Sequence, residues 1–271
     1  MKANKGRARI VVAGVLLAVL FLVGAMLTGP GGAEEPVQEA MRDAVVHEEG
    51  KLSFFGLTTV NPAVFSGMVV TGLLLAGAAA VRIFLIPRFR YQPGKAQMLL
   101  ESMVGFFDDI AVSNSPHHNG FLRIYIFSAG LYIFTGTFFE LFGVQWMTTQ
   151  GRSLSLPAPL SDINGAIALG CLSYLVILSG GLVHNGIRGL GSALKEFSLP
   201  ISMSFRLFGA LLSGLLVSEL VYHYLALSFF LPVVVGVLFT LLHALIQTYV
   251  LVLLTALFYG EVSEPRSKAS A

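Results

Sequence analysis

Six stretches of the chain are apolar almost without interruption: Ile10–Thr28, Ala63–Ile86, Gly120–Gly143, Ile163–His184, Pro200–Leu231 and Pro232–Gly260. Each reaches the roughly 17–25 residues that an α-helix needs to cross a bilayer. Together they occupy over half of the 271 residues. The pattern predicts an all-α polytopic membrane protein. Five core helices follow an N-terminal segment that reads as a signal peptide or as a signal anchor. The basic start and Val23-Gly24-Ala25 fit a cleaved secretory signal, and the length of Ile10–Thr28 fits an uncleaved anchor. The chain divides into the signal-like segment 1–28, an acidic linker 29–62, a core 63–264 and a tail 265–271.

Two connecting segments have a pattern of their own. Gln92–Val112 opens on a Pro-Gly turn and has mixed polarity, which predicts an amphipathic helix at the cytoplasmic face. Leu154–Asn164 is a Pro-rich loop ending in Asp162 and Asn164, residues suited to cap the next helix.

Composition agrees with the pattern. Only 12% of residues are charged, against about 25% in soluble domains. The pieces between apolar runs are too short for a nucleotide-binding, Rossmann or other sizeable soluble catalytic domain. A net charge of +2 gives no nucleic-acid footprint. The single Cys171 excludes an intrachain disulfide and a cysteine zinc site. Nothing in the sequence calls for a cofactor or a metal.

The distribution of Lys and Arg sets the orientation. Lys2, Lys5, Arg7 and Arg9 put the N-terminus inside. The linker, with Glu34, Glu35, Glu39, Asp43, Glu48 and Glu49, falls outside. Arg88, Arg90 and Lys95 are inside, the loop around Trp146 outside, and Arg188 and Lys195 inside. Tyr222–Ser228, which lacks Lys and Arg, is outside, and Arg266 and Lys268 leave the C-terminus cytoplasmic.

Charge within a membrane segment costs at least about 2.5–3.5 kcal/mol and marks function by default. Arg206 is the sharpest case, seven residues into its run. Its guanidinium cannot be deprotonated to escape that cost. Ser202, Gly209 and Ser213 fall within about 60° of it around the helix, a small-residue face that admits close approach. Glu219 lies thirteen residues on and projects about 140° away. It is therefore a poor internal partner for Arg206, and a candidate for the proton path. On the last run, Thr240, His243 and Gln247 share one face, a stripe that can hold water and pass protons. Interhelical hydrogen bonding is the structural alternative for that stripe. His117-His118 lacks a third metal ligand, Ser192-x-x-Lys195 has no companion motif, and Gly94-Lys95 is not part of a phosphate-binding loop.

Pro200-Ile-Ser-Met-Ser-Phe-Arg206-Leu-Phe-Gly209, followed by Ala244-Leu-Ile-Gln247-Thr on the next run, resembles subunit a of the rotary F-type ATP synthase. Pro93-Gly94-Lys95-x-Gln97-x-x-x-Glu101, Asp162-Ile-Asn164 and Tyr259-Gly-Glu261 fit the same family in order, from about Ser53 to Glu264. The resemblance implies a stator beside a ring of c subunits, each with a membrane carboxylate, and two offset half-channels leading protons to and from it. It implies Arg206 as the essential cation, Gln247 as its partner, and a long tilted hairpin made by the last two helices. The partners it implies are the c-ring, the b-subunit stalk, the rest of the complex and the lipid bilayer, in a bacterial inner membrane. Ala210 stands where the family usually has Asn. Leu215 and Thr240 stand at places often acidic or histidine, and Glu219 and His243 lie about one turn away and are expected to substitute. Sodium is the alternative ion. A secondary transporter is the rival class, but the inverted repeat it calls for is not visible.

Overall fold

In a computed structural model of the chain, the described residues are 61–117, 119–141, 157–223 and 240–265, with short strands at 52–54, 58–60, 145–147 and 153–155 and the single residues Val19 and Val23. The signal-like run Ile10–Thr28 apart from these two valines, most of the acidic linker and nearly all of the C-terminal tail lie outside the described residues.

Among the described residues, six α-helices carry the fold. Helix α1 (Pro62–Ala80) starts with proline in its first turn, where no N–H is needed, and with the Asn61 side chain accepting from the Ala63 N–H at 3.0 Å. It passes into a wider π-type turn (Val81–Leu85) and a 3₁₀ turn (Ile86–Arg88). Pro87, which cannot donate back to the preceding turn, accounts for that loosening. Helix α2 (Lys95–Asn114) is the one expected from the mixed-polarity segment. Gln97 ties its first turn to the preceding loop by bonding both the N–H (3.0 Å) and the carbonyl (3.1 Å) of Arg90. Helices α3 (Gly120–Leu141), α4 (Ile163–Lys195), α5 (Ser198–His223) and α6 (Leu242–Ser263) complete the set. Pro62–Arg88, Gly120–Phe139, Ile163–Lys195 and Leu242–Ser263 are long and apolar enough to cross a membrane. Two small antiparallel ladders are described: β1 (Leu52–Phe54) with β2 (Thr58–Val60), just before α1, and β3 (Gln145–Met147) with β4 (Ser153–Ser155), between α3 and α4.

Lipid is as apolar as leucine, so close packing and hydrogen bonds must hold the helices together. The glycines show where. A Cβ at Gly130 of α3 would meet the Phe107 ring and stand 3.1 Å from Val252 of α6. One at Gly180 of α4 would meet the Tyr259 ring. One at Gly170 would reach the Pro200 carbonyl of α5 at 3.0 Å. Around these contacts lie two apolar clusters. One gathers Phe107, Ile126, Ile177, Val252 and Tyr259. The other gathers Ile133, Leu160, Ala166, Leu207 and Leu251. Helix α1 buries only its first turns, through Pro62, Ala63, Ser66 and Val70.

The helix bounds differ from the apolar runs in two places. The fourth run stops at His184, but α4 continues to Lys195 after reversing at Gly186, which has φ 62° and ψ −148°. The arm after the reversal folds back on the helix: Tyr174 donates to the Ala193 carbonyl at 3.1 Å, and Gly181 lies against Gly189. An apolar count cannot see a turn made by one glycine's backbone. The second difference is that α5 and α6 are shifted from Pro200–Leu231 and Pro232–Gly260, and the connection of the expected hairpin, residues 224–239, lies outside the described residues.

Candidate functional site

Arg206 projects from the outer surface of α5. Ser202, Phe205, Gly209 and Ser213 are exposed with it, and a Cβ at Gly209 would meet nothing within 4 Å. The opposite side, with Met203, Leu207 and Leu211, is buried in the bundle. Helical periodicity therefore splits α5 into an apolar inner face and an outer face on which Ser202, Gly209 and Ser213, together with Phe205, surround one cation. Among the described residues Arg206 has no ion pair; the ion pair described is Arg123 with Asp108, at 2.9 Å on the surface.

The Thr240–His243–Gln247 stripe lies differently. Thr240 and Gln247 are buried and His243 is half-buried. Their face continues through Leu251 and Thr255 into the bundle, so these polar groups point into protein while Arg206 points away from it. Glu219 lies on α5, but its side chain, like that of Glu140, is outside the described residues.

Helix contacts give the relative heights. Tyr259 lies against Gly180, and twelve residues earlier Gln247 stands level with Ala168 of α4. Ser204 lies against Gly170, so Arg206, two residues further, also stands close to Ala168. The arginine and the glutamine thus share a level, a turn or two from Asp162. The Asp162 carboxylate caps α4, accepting from the N–H groups of Asn164 (2.7 Å) and Gly165 (3.4 Å), and also takes a hydrogen bond from the Asn61 amide. From Gln247 to Ser263 there remain about 24 Å of helix. The long leg of the bundle lies on the Gly186 side.

The polar pattern on single helices singles out Arg206, Glu219, Thr240, His243 and Gln247, and leaves two further sets of hydroxyls unmarked. The hydroxyls of Tyr125 on α3 and Ser173 on α4 bond each other at 2.7 Å. Thr248, beside Gln247, is 7% exposed and its Oγ1 has no hydrogen-bond partner among the described residues. Both sets were visible as polar interruptions of apolar runs. At the Gly186 end, His117, Asn119, Ser179, His184 and Tyr259 line a cavity of about 560 Å³. Among the described residues, no three His, Cys, Asp or Glu side chains converge to hold a metal.

Residues 64–260 match the family described as ATP synthase A chain. The ATP synthase subunit a of Acidothermus cellulolyticus is 27% identical over 238 residues, covering 80% of this chain and 82% of that protein. The ATP synthase subunit a of Cereibacter sphaeroides is 24% identical over 192 residues, covering 66% and 74%.

Proposed function

Because the chain belongs to the ATP synthase A chain family, we propose that it is the proton-passing stator of the membrane sector and that Arg206 is its fixed cation facing the ring. One observation carries this reading: a guanidinium, unpaired among the described residues, on an exposed face with Ser202, Gly209 and Ser213 beside it. Such a charge is tolerated in a membrane only beside an anion or water. A ring of c subunits, each with a membrane carboxylate, supplies the anion, and the small residues let the ring approach. The cation favours the ionised carboxylate, so a site gives up its proton as it reaches Arg206. The same charge blocks direct passage between the two half-channels. A proton crossing the full potential releases about 2.3 kcal/mol per 100 mV, and a leak past Arg206 would waste it.

Gln247 supports Arg206 at the same level, and Glu219, His243 and Thr240 belong to the outer half-channel. The b-subunit stalk holds the chain against ring rotation. The membrane is the bacterial inner membrane, and the Gly186 end and the C-terminus are cytoplasmic. The ion is the proton; pumping that needs sodium would replace it with that ion.

The test is ATP-driven acidification of inverted vesicles bearing native chain or Arg206→Ala, with ATP hydrolysis measured alongside. Lost pumping with hydrolysis retained is expected. Undiminished pumping would remove Arg206 from the coupling step. A Glu219→Gln, His243→Ala double variant pumping at the native rate would remove those two from the path.

A further inference from the structure

Helix α1 is gripped by protein at one end. Its buried residues, Pro62, Ala63, Ser66 and Val70, all lie in the first turns. Its far end runs into the π-type and 3₁₀ turns, none of whose residues is buried. That end is strongly positive. Arg82, Arg88, Arg90 and Lys95 are exposed, and residues 82–100 contain no Asp or Glu. Among the described residues none of these four cations has an ion pair. The first acid beyond them, Glu101, accepts from the Gln97 amide at 2.8 Å. Helix α2 starts beside the same loop with no side-chain cap and no acid in its first turn, so the positive end of its dipole adds to the field. The patch is also fixed in shape, because Gln97 holds both backbone groups of Arg90 and ties the loop to α2.

The level of the patch identifies its partner. From Pro62 to Arg82 the helix rises about 30 Å, the thickness of a bilayer's hydrocarbon core. Arg82 thus leaves the apolar layer where lipid phosphates begin, and the other three cations follow it. Ile83 and Phe84 beside Arg82 are 62% and 58% exposed. Tyr91, fully exposed, is of the type that settles at headgroup level. A soluble anion would satisfy the cations and leave these apolar groups in water. A phospholipid satisfies both, since guanidinium groups bond phosphate through paired N–H groups while acyl chains cover the apolar side chains.

We propose that residues 82–95 bind anionic phospholipid, with phosphates held among Arg82, Arg88, Arg90 and Lys95 and acyl chains lying against Ile83 and Phe84. The lipid then does for this end of α1 what Asn61 and Asp162 do for the other. The inference goes beyond the stator reading: it needs α1 to cross the membrane and nothing of the ion path.

The test uses the intact complex, purified through its catalytic head so that only assembled chain is counted, in vesicles of phosphatidylcholine with a minor share of phosphatidylglycerol. Either lipid carries a photoreactive diazirine near its glycerol, and adducts are mapped by mass spectrometry. Expected is preferential labelling of residues 82–95 by the phosphatidylglycerol probe. In Arg88→Gln, Arg90→Gln it should fall about thirtyfold, five- to sixfold for each cation removed. Arg88→Lys, Arg90→Lys keeps the charge and should keep most of the labelling. Equal labelling by the two lipids, native labelling of the Gln variant, or a Lys variant labelled as poorly as the Gln variant overturns the proposal. So does labelling by neither lipid, the result if an acidic segment of another subunit covers the patch. Inorganic phosphate that displaces the probe at constant ionic strength would assign the site to the free anion instead and overturn it too. Arg206→Ala should lose pumping and keep full labelling, so the two readings fail separately.

Discussion

Replacing Gly189 by alanine places a methyl group where α4 folds back upon itself. The added Cβ would meet the Gly181 carbonyl oxygen and stand 2.6 Å from the Asn185 Cβ. Neither neighbour is the tip of a flexible side chain. The clash can be relieved only by parting the two arms of the reversal, and the Tyr174 bond to the Ala193 carbonyl parts with them. Overpacking of this kind costs about 1–3 kcal/mol, and losing the hydrogen bond adds about 1 kcal/mol. The expected loss is therefore about 3 kcal/mol, more than a hundredfold in an equilibrium constant. Gly191 supplies the control, because it lies on the same arm with nothing within 4 Å of its would-be Cβ. Gly191→Ala should be neutral or stabilise by up to about 1 kcal/mol, since glycine weakens a helix interior. The assay is thermal aggregation of the detergent-solubilised complex together with the amount of chain assembled in membranes. Equal midpoints and amounts for Gly189→Ala and Gly191→Ala would refute the argument that backbone contact at the reversal holds α4 to its own returning arm.

Three further outcomes follow from the geometry. Asp162→Ala removes the cap of α4 and its tie to Asn61 together and should cost about 1–2 kcal/mol, seen as a lower thermal midpoint; Asp162→Asn should keep most of that stability. Arg123→Ala breaks the exposed pair with Asp108 and should shift stability by under about 1 kcal/mol, with the midpoint losing any salt dependence due to this pair. Cys171 is exposed on a membrane-spanning helix, so a water-soluble maleimide should leave it unlabelled in membranes and label it once the chain is denatured, since the thiolate is the reacting form; Cys171→Ser should pump at the native rate.

The helices were legible because a bilayer imposes a length and a composition on anything that spans it. The cap at Asp162 and the turn before Lys95 were legible too, since both follow from local chemistry at fixed offsets. The reversal at Gly186 was not, because one glycine's backbone angle leaves no trace in hydropathy, and the run after it returns along the same helix. At the candidate site the isolation of Arg206 on a small-residue face could be read from 100° steps. The burial of Thr240 and Gln247 could not, since a stripe on one helix does not say whether protein or solvent lies opposite. Tyr125 and Ser173 meet only through the packing of α3 on α4, and pairing across 48 residues is invisible to local pattern.

The bond between Asn61 and Asp162 has a consequence for how the protein is made. Asn61 closes the start of α1 through its own side chain, so that helix can form as soon as it is synthesised. Its seat against α4 needs a carboxylate 101 residues further along the chain. At about 5–20 residues per second, the ribosome needs about 5–20 s to deliver it. During that interval α1 lacks its seat on α4, and its packing is limited to partners already made, such as Tyr132 of α3 beside Gly67. Arrival of Asp162 then fastens α1 to α4, so docking of α1 reports that α3, the membrane-spanning helix made between them, is already in place.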